Sequence, residues 1–125
     1  MRRTIASASA WESIVGYSRA VRVGRVVEVS GTTASGPDAY EQTRQVLEKM
    51  QAALHPAGAT LADVVRTRMY VVTDLSQWAA VGRAHAEAFA DIRSTTTMVQ
   101  VAALIDPQLV VETEAPAIIS PRENA

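Results

Sequence analysis

The chain has 125 residues, 48% of them hydrophobic, with a formal net charge of -1 and a sequence pI near 6.1, which suits one globular domain over residues 1–125 with a real core. There is no basic excess, Lys49 is the only lysine, and the six aromatic residues are scattered, so nothing favours a nucleic-acid partner. The chain has no cysteine, and its two histidines, His55 and His85, lie thirty residues apart, which excludes disulfides and thiolate sites and argues against zinc.

Residues 1–18 read as an irregular lead-in. They begin with a basic pair but contain no long apolar run, so a secretory signal is not expected. No stretch approaches the ~20 apolar residues needed to span a bilayer, and a soluble, cytoplasmic protein is the expectation. Next, Val21 and Val23 alternate with Arg22, and Val27 and Val29 alternate with Glu28 and Ser30. With Gly24 and Arg25 as the turn, this predicts a β-hairpin. Asp38 and Glu41 then form a capping-box pattern. Thr43, Val46, Leu47, Met50, Ala53 and Leu54 follow at helical spacing, and Pro56 and Gly58 end the helix near His55.

"DVVRTRMYVVT" predicts a strand with Val65, Thr67, Met69 and Val71 on one face and Arg66, Arg68 and Tyr70 on the other. Asp74 is placed to cap a second helix whose face reads Leu75, Trp78, Val81 or Gly82, His85 and Phe89. A strand from Thr97 through Leu104 follows, with core character from Val99 onward. After the turn at Asp106 and Pro107 comes a last strand in which Val110, Glu112 and Glu114 share a face. The tail "SPRENA" reads as frayed. The resulting order, ββαβαββ, predicts an α+β fold: one mostly antiparallel sheet with both helices on one face. Arg22, Arg66, Arg68, Glu112 and Glu114 would then charge the strands and mark solvent or a subunit contact on the other face.

Spacing alone yields no catalytic signature. "GTTASG" lacks the lysine of a phosphate loop, and Ser30, before a glycine, is a turn residue or a nucleophile only if a histidine base approaches. Glu112 and Glu114 make either a solvated, arginine-paired face or a group that orients water or moves protons. His85, on the apolar side of its helix, is a core histidine or a catalytic one. Tyr17 reads as a packing residue. Arg93, after the second helix, suits either the C-terminal dipole or an anion.

Taken together, "GYSRAVRVG", "VSGTT", "YEQTRQVLEKM", "AGATLADVVRTRMYVVTDL", "VQVAAL" and "VETEA" resemble the RidA/YjgF (reactive-intermediate deaminase) family across roughly residues 14–118. The resemblance implies a chorismate-mutase-like homotrimer with ligand clefts between subunits and alternating strand residues buried at the interface. It also implies hydrolysis of small reactive enamines or imines to a keto compound and ammonia, with no metal and no organic cofactor. Tyr17, Ser30 and Gly31 match the family's cleft residues, and Glu112 matches the glutamate that orients water. The family's carboxylate-binding arginine falls at Thr96, with Thr97 next to it. Arg93, three residues earlier, is the cation that could replace it, and Thr96 and Thr97 would otherwise suit a less charged ligand. Three readings stay open: a small-molecule imine or enamine deaminase, a non-catalytic ligand-binding or regulatory trimer, and a pathway-specific hydrolase or tautomerase. The endoribonuclease label carried by some members has little support here, for want of a basic patch and a histidine pair.

Overall fold

The computed structural model describes residues 1–72 and 75–121. Six strands form a single sheet: β1 (Arg2–Ile5), β2 (Ala20–Val23), β3 (Val26–Thr32), β4 (Arg66–Val71), β5 (Thr95–Gln100) and β6 (Val111–Ile118). The helices are α1 (Trp11–Val15), α2 (Ala39–Leu54) and α3 (Trp78–Phe89). The strand order is β1-β2-β3-β6-β4-β5. All neighbours are antiparallel except β4 and β5, which run parallel through the α3 crossover.

Local chemistry accounts for the elements. In the β2–β3 hairpin, Gly24 takes a φ of +60° at the turn, a value that costs glycine nothing. Asp38 caps α2 by accepting from the Glu41 N–H at 2.8 Å, an interaction that contributes about 1 kcal/mol. The predicted apolar stripe, Thr43 to Leu54, is the buried face of α2. Gly58, with φ +84°, closes the turn after it. Asp74 lies outside the described residues, as do residues 122–125 of the tail.

The core fills the space between the helices and one sheet face. Val27, Met69, Val71, Val111, Ala115 and Ala117 meet Val46, Met50, Leu54 and Val81, all fully buried or nearly so. The strands alternate as expected: in β6 Val111, Thr113, Ala115 and Ala117 are buried, while Glu112, Glu114 and Pro116 lie partly open on the other face. Arg68, Tyr70 and Glu112 share that second face through the β4–β6 register.

Four expectations change. The lead-in is ordered: β1 pairs with β2, and α1 closes on Gly16 in the left-handed region. Both are too short, at four and five residues, for periodicity to show them. The strand expected from Thr97 through Leu104 runs instead from Thr95 to Gln100. It is the sheet's edge, with Val99 41% exposed, so within one chain it is not core. Arg22 faces the helices, because it pairs with buried Val27; its guanidinium donates to the Ala57 and Gly24 carbonyls. Finally, Val65 is 42% exposed, whereas the adjacent Val64 is buried and bridges to Ala117.

Candidate functional site

A cavity of about 790 Å³ opens where the first three strands meet α2 and the segment from Ile5 to Tyr17. Its apolar wall includes Ile5, Trp11, Val15, Pro56 and Ile105; its polar groups include Tyr17, Arg19, Lys49 and Glu112, with Gly31 between them. The size lies in the range of small-molecule sites.

The floor is set by an irregularity in the β3–β6 ladder between Val29 and Thr32. Such a bulge re-aims the backbone it interrupts, and here the affected residues are Ser30 and Gly31. The Ser30 hydroxyl donates to the Ser18 carbonyl at 2.7 Å, and its N–H donates to the Arg19 carbonyl at 3.0 Å. Ser30 thus ties β3 to the approach to β2. Gly31 offers its carbonyl to Arg19 Nη2 at 2.8 Å. A Cβ on Gly31 would sit 3.0 Å from Glu112 Cδ and closer still to Oε2, so only glycine leaves room for this carboxylate against the backbone.

Glu112 projects from the start of β6, opposite Tyr70. Burial raises its pKa above the ordinary 4.5; the Arg19 cation pulls the other way, and Glu114 adds to the rise. The neighbouring Glu114 is engaged, accepting a hydrogen bond from the Tyr70 hydroxyl. Glu112 is therefore the carboxylate left to face the cavity, with its proton affinity moved toward neutrality, as suits a group that must both take and return a proton.

Across the cavity, the Arg19 guanidinium lies 5.7 Å from the centroid of the Tyr17 ring, a favourable cation–π placement. The far wall is held by α1, which carries Trp11 and Val15: the Ser7 N–H and hydroxyl both donate to the Glu12 carboxylate, which ties the preceding segment to this helix.

Of the residues anticipated from the sequence, the cavity brings together Tyr17, Gly31 and Glu112, with Ser30 behind as a brace. Arg93 sits at the end of α3 with φ +62°, and its Nε donates to the Ala90 carbonyl at 2.7 Å; it does not line the cavity. Thr96 turns beneath the sheet, where the Thr67 hydroxyl donates to it at 2.7 Å and also pairs with His85 Nε2 at 2.8 Å. Thr97 faces the opposite side and accepts from Arg66 Nη1 at 3.1 Å. His85 stacks on Phe89 with ring centroids 4.6 Å apart, a packed histidine. Arg19 is the residue sequence reasoning missed. No local pattern marks it: Arg19 lies at a bend just before β2, and its place is set by the Gly31 carbonyl, far away in sequence. Among the described residues, no group of three or more His, Cys, Asp or Glu could hold a metal ion, and no helix is long and apolar enough to cross a membrane.

A small α+β sheet domain with a carboxylate, a guanidinium and a tyrosine around one apolar-walled cavity is the class these features define. The chain belongs to the RidA/YjgF family: residues 7–119 match the sequence profile of the family described as Endoribonuclease L-PSP. It is 36% identical to an uncharacterised protein of Streptomyces coelicolor, over 92% of this chain and 90% of that one. It is 32% identical to the 2-iminobutanoate/2-iminopropanoate deaminase of Salmonella typhimurium, over 76% of this chain and 79% of that one. Among solved structures, a member of the YjgF/YER057c/UK114 family from Mycobacterium tuberculosis superimposes with a TM-score of 0.92 at 57% identity, covering 95% of this chain and all of that one. The fold is the chorismate-mutase-like fold of that family.

Proposed function

We propose that the cavity hydrolyses a small reactive imine or enamine to a keto compound and ammonia. The observation that carries this reading is the convergence of Tyr17, Gly31 and Glu112 on one cavity, with Glu112 raised in pKa. Water adds to the carbon of the protonated imine as the Glu112 carboxylate accepts one of its protons. The resulting carbinolamine takes that proton back on nitrogen from Glu112, the C–N bond breaks, and ammonia leaves as the carbonyl forms, the hydroxyl proton passing to the regenerated Glu112 carboxylate and from there to solvent. Tyr17 packs on the substrate, and the tight seat of Glu112 against Gly31 orients the water. The deaminase name of the Salmonella relative supports the substrate class. The reading includes a homotrimer acting in the cytoplasm, with the open sheet face and the β5 edge covered by neighbouring copies; light scattering on the purified protein tests the assembly.

The direct test generates 2-iminobutanoate in situ with a dehydratase and follows release of 2-oxobutanoate. Acceleration over the free reaction, lost in Glu112→Gln, is expected; no acceleration rejects the reading. A non-catalytic ligand-binding trimer is the second reading. It is favoured by Thr96, which stands at the family's arginine position yet is bonded to Thr67 beneath the sheet. Saturable ligand binding without turnover would select it.

A further inference from the structure

We propose that Arg19 is the anion-recognition residue of this cavity, holding the carboxylate of the bound molecule beside Glu112. The inference rests on the cavity being the ligand site and adds to that reading the group that selects the ligand's charge.

Three observations converge on Arg19. The side chain is pre-positioned: Nη2 is fixed on the Gly31 carbonyl and the guanidinium lies over Tyr17. Its Nε is shut off from solvent and has no acceptor among the described residues. A buried donor without an acceptor is costly, and a carboxylate is the acceptor whose geometry matches the guanidinium fork. Third, the alternatives are committed elsewhere. Thr96 points beneath the sheet, Arg93 caps α3, and Lys49, the other cation of the cavity wall, is exposed and donates to the Thr33 carbonyl at 2.8 Å.

Electrostatics gives the same answer. A ligand carboxylate brought next to Glu112 meets a like charge in a half-buried site, which is unfavourable unless a cation sits with them. Arg19 is the cation that already acts on Glu112. Filling the site with an anion would offset the Arg19 charge and raise the proton affinity of Glu112 further, which makes its carboxylate a stronger base toward the attacking water.

The test measures binding, not turnover. Calorimetric titration with 2-oxobutanoate, and with its uncharged amide, is carried out on the wild type, Arg19→Lys and Arg19→Gln. The expected result is a keto-acid affinity reduced about ten- to a hundredfold in Arg19→Gln, partly recovered in Arg19→Lys, with amide affinity within about threefold throughout. Because Arg19 also braces Gly31, a second measurement uses the unaltered protein: the Arg19 Nε–H resonance should move on adding the keto acid and stay in place with the amide. Equal losses for both ligands, no saturable keto-acid binding to the wild type, or an unmoved Nε–H resonance would each overturn the proposal. Anion binding through Arg19 without imine turnover would sink the catalytic reading and leave this one standing.

Discussion

Gly31→Ala isolates the geometry of the carboxylate from the chemistry of its residues. The added methyl would lie 3.0 Å from Glu112 Cδ, where ordinary contact begins near 3.4 Å, and closer still to Oε2. The backbone at Gly31 does not need the left-handed region, so alanine fits the strand, and the flexible end of Glu112 gives way by roughly 1 Å. A displacement of that size costs on the order of a hundredfold in rate. Stability should hardly change, because the clash is relieved by a side-chain swing and alanine is favoured over glycine in a strand by about 0.5–1 kcal/mol. The melting temperature should stay within about 5 °C of wild type. The assay pairs in situ imine turnover with thermal unfolding. Undiminished turnover would refute the claim that the Gly31–Glu112 contact positions the carboxylate, and a collapse of the fold would refute the claim that only the carboxylate moves.

Other consequences follow from the same structure. Since burial raises the Glu112 pKa above 4.5, the folded state holds this proton more tightly than the unfolded chain; stability therefore falls as pH rises through the interval above 4.5. Glu112→Gln should melt higher than wild type at neutral pH, with a flatter dependence over that interval, and an equal or lower melting temperature contradicts the argument. Thr67→Val strips His85 Nε2 and Thr96 Oγ1 of their shared hydroxyl under the sheet and should cost about 1–3 kcal/mol by denaturant unfolding; a neutral result means the network is idle. Arg93 holds a left-handed backbone at the end of α3, so Arg93→Gly relieves strain of about 1 kcal/mol while losing one exposed bond. It should melt no lower than wild type and turn over imine within about twofold; a large loss of turnover would put Arg93 in a cleft.

Much of this architecture is readable from residue order because the elements involved have strong periods and strong ends. Asp38 to Gly58 carries both a cap and an apolar stripe, and β6 alternates without a break. What escaped detection depends on contacts distant in sequence. The strand Arg2–Ile5 exists only because β2 offers it an edge, and α1 only because Ser7 binds Glu12. The face of Arg22 is fixed by its pairing with Val27, not by its neighbours. In β5 the pattern of alternate valines suggested core, but parallel pairing at the sheet edge leaves those side chains open within one chain. Tyr17 and Glu112 could be picked out through resemblance to relatives, whereas Arg19 needed the bulge at Ser30 and Gly31 to turn a carbonyl toward it.

The position of β6 carries a last implication, for biogenesis. This strand is the bridge between β3 and β4, with Ile118 set against Val26 and Glu114 against Arg68, yet it is translated after every other strand. While it is still inside the ribosome, the hairpin and α2 can form, but β3 and β4 have no common neighbour and Glu112 is not yet in place. The sheet therefore closes only after synthesis has passed Ile118. A nascent chain stalled before Val111 would present two unsatisfied strand edges to the quality-control machinery, and a release defect there would produce insoluble material instead of a weakened fold.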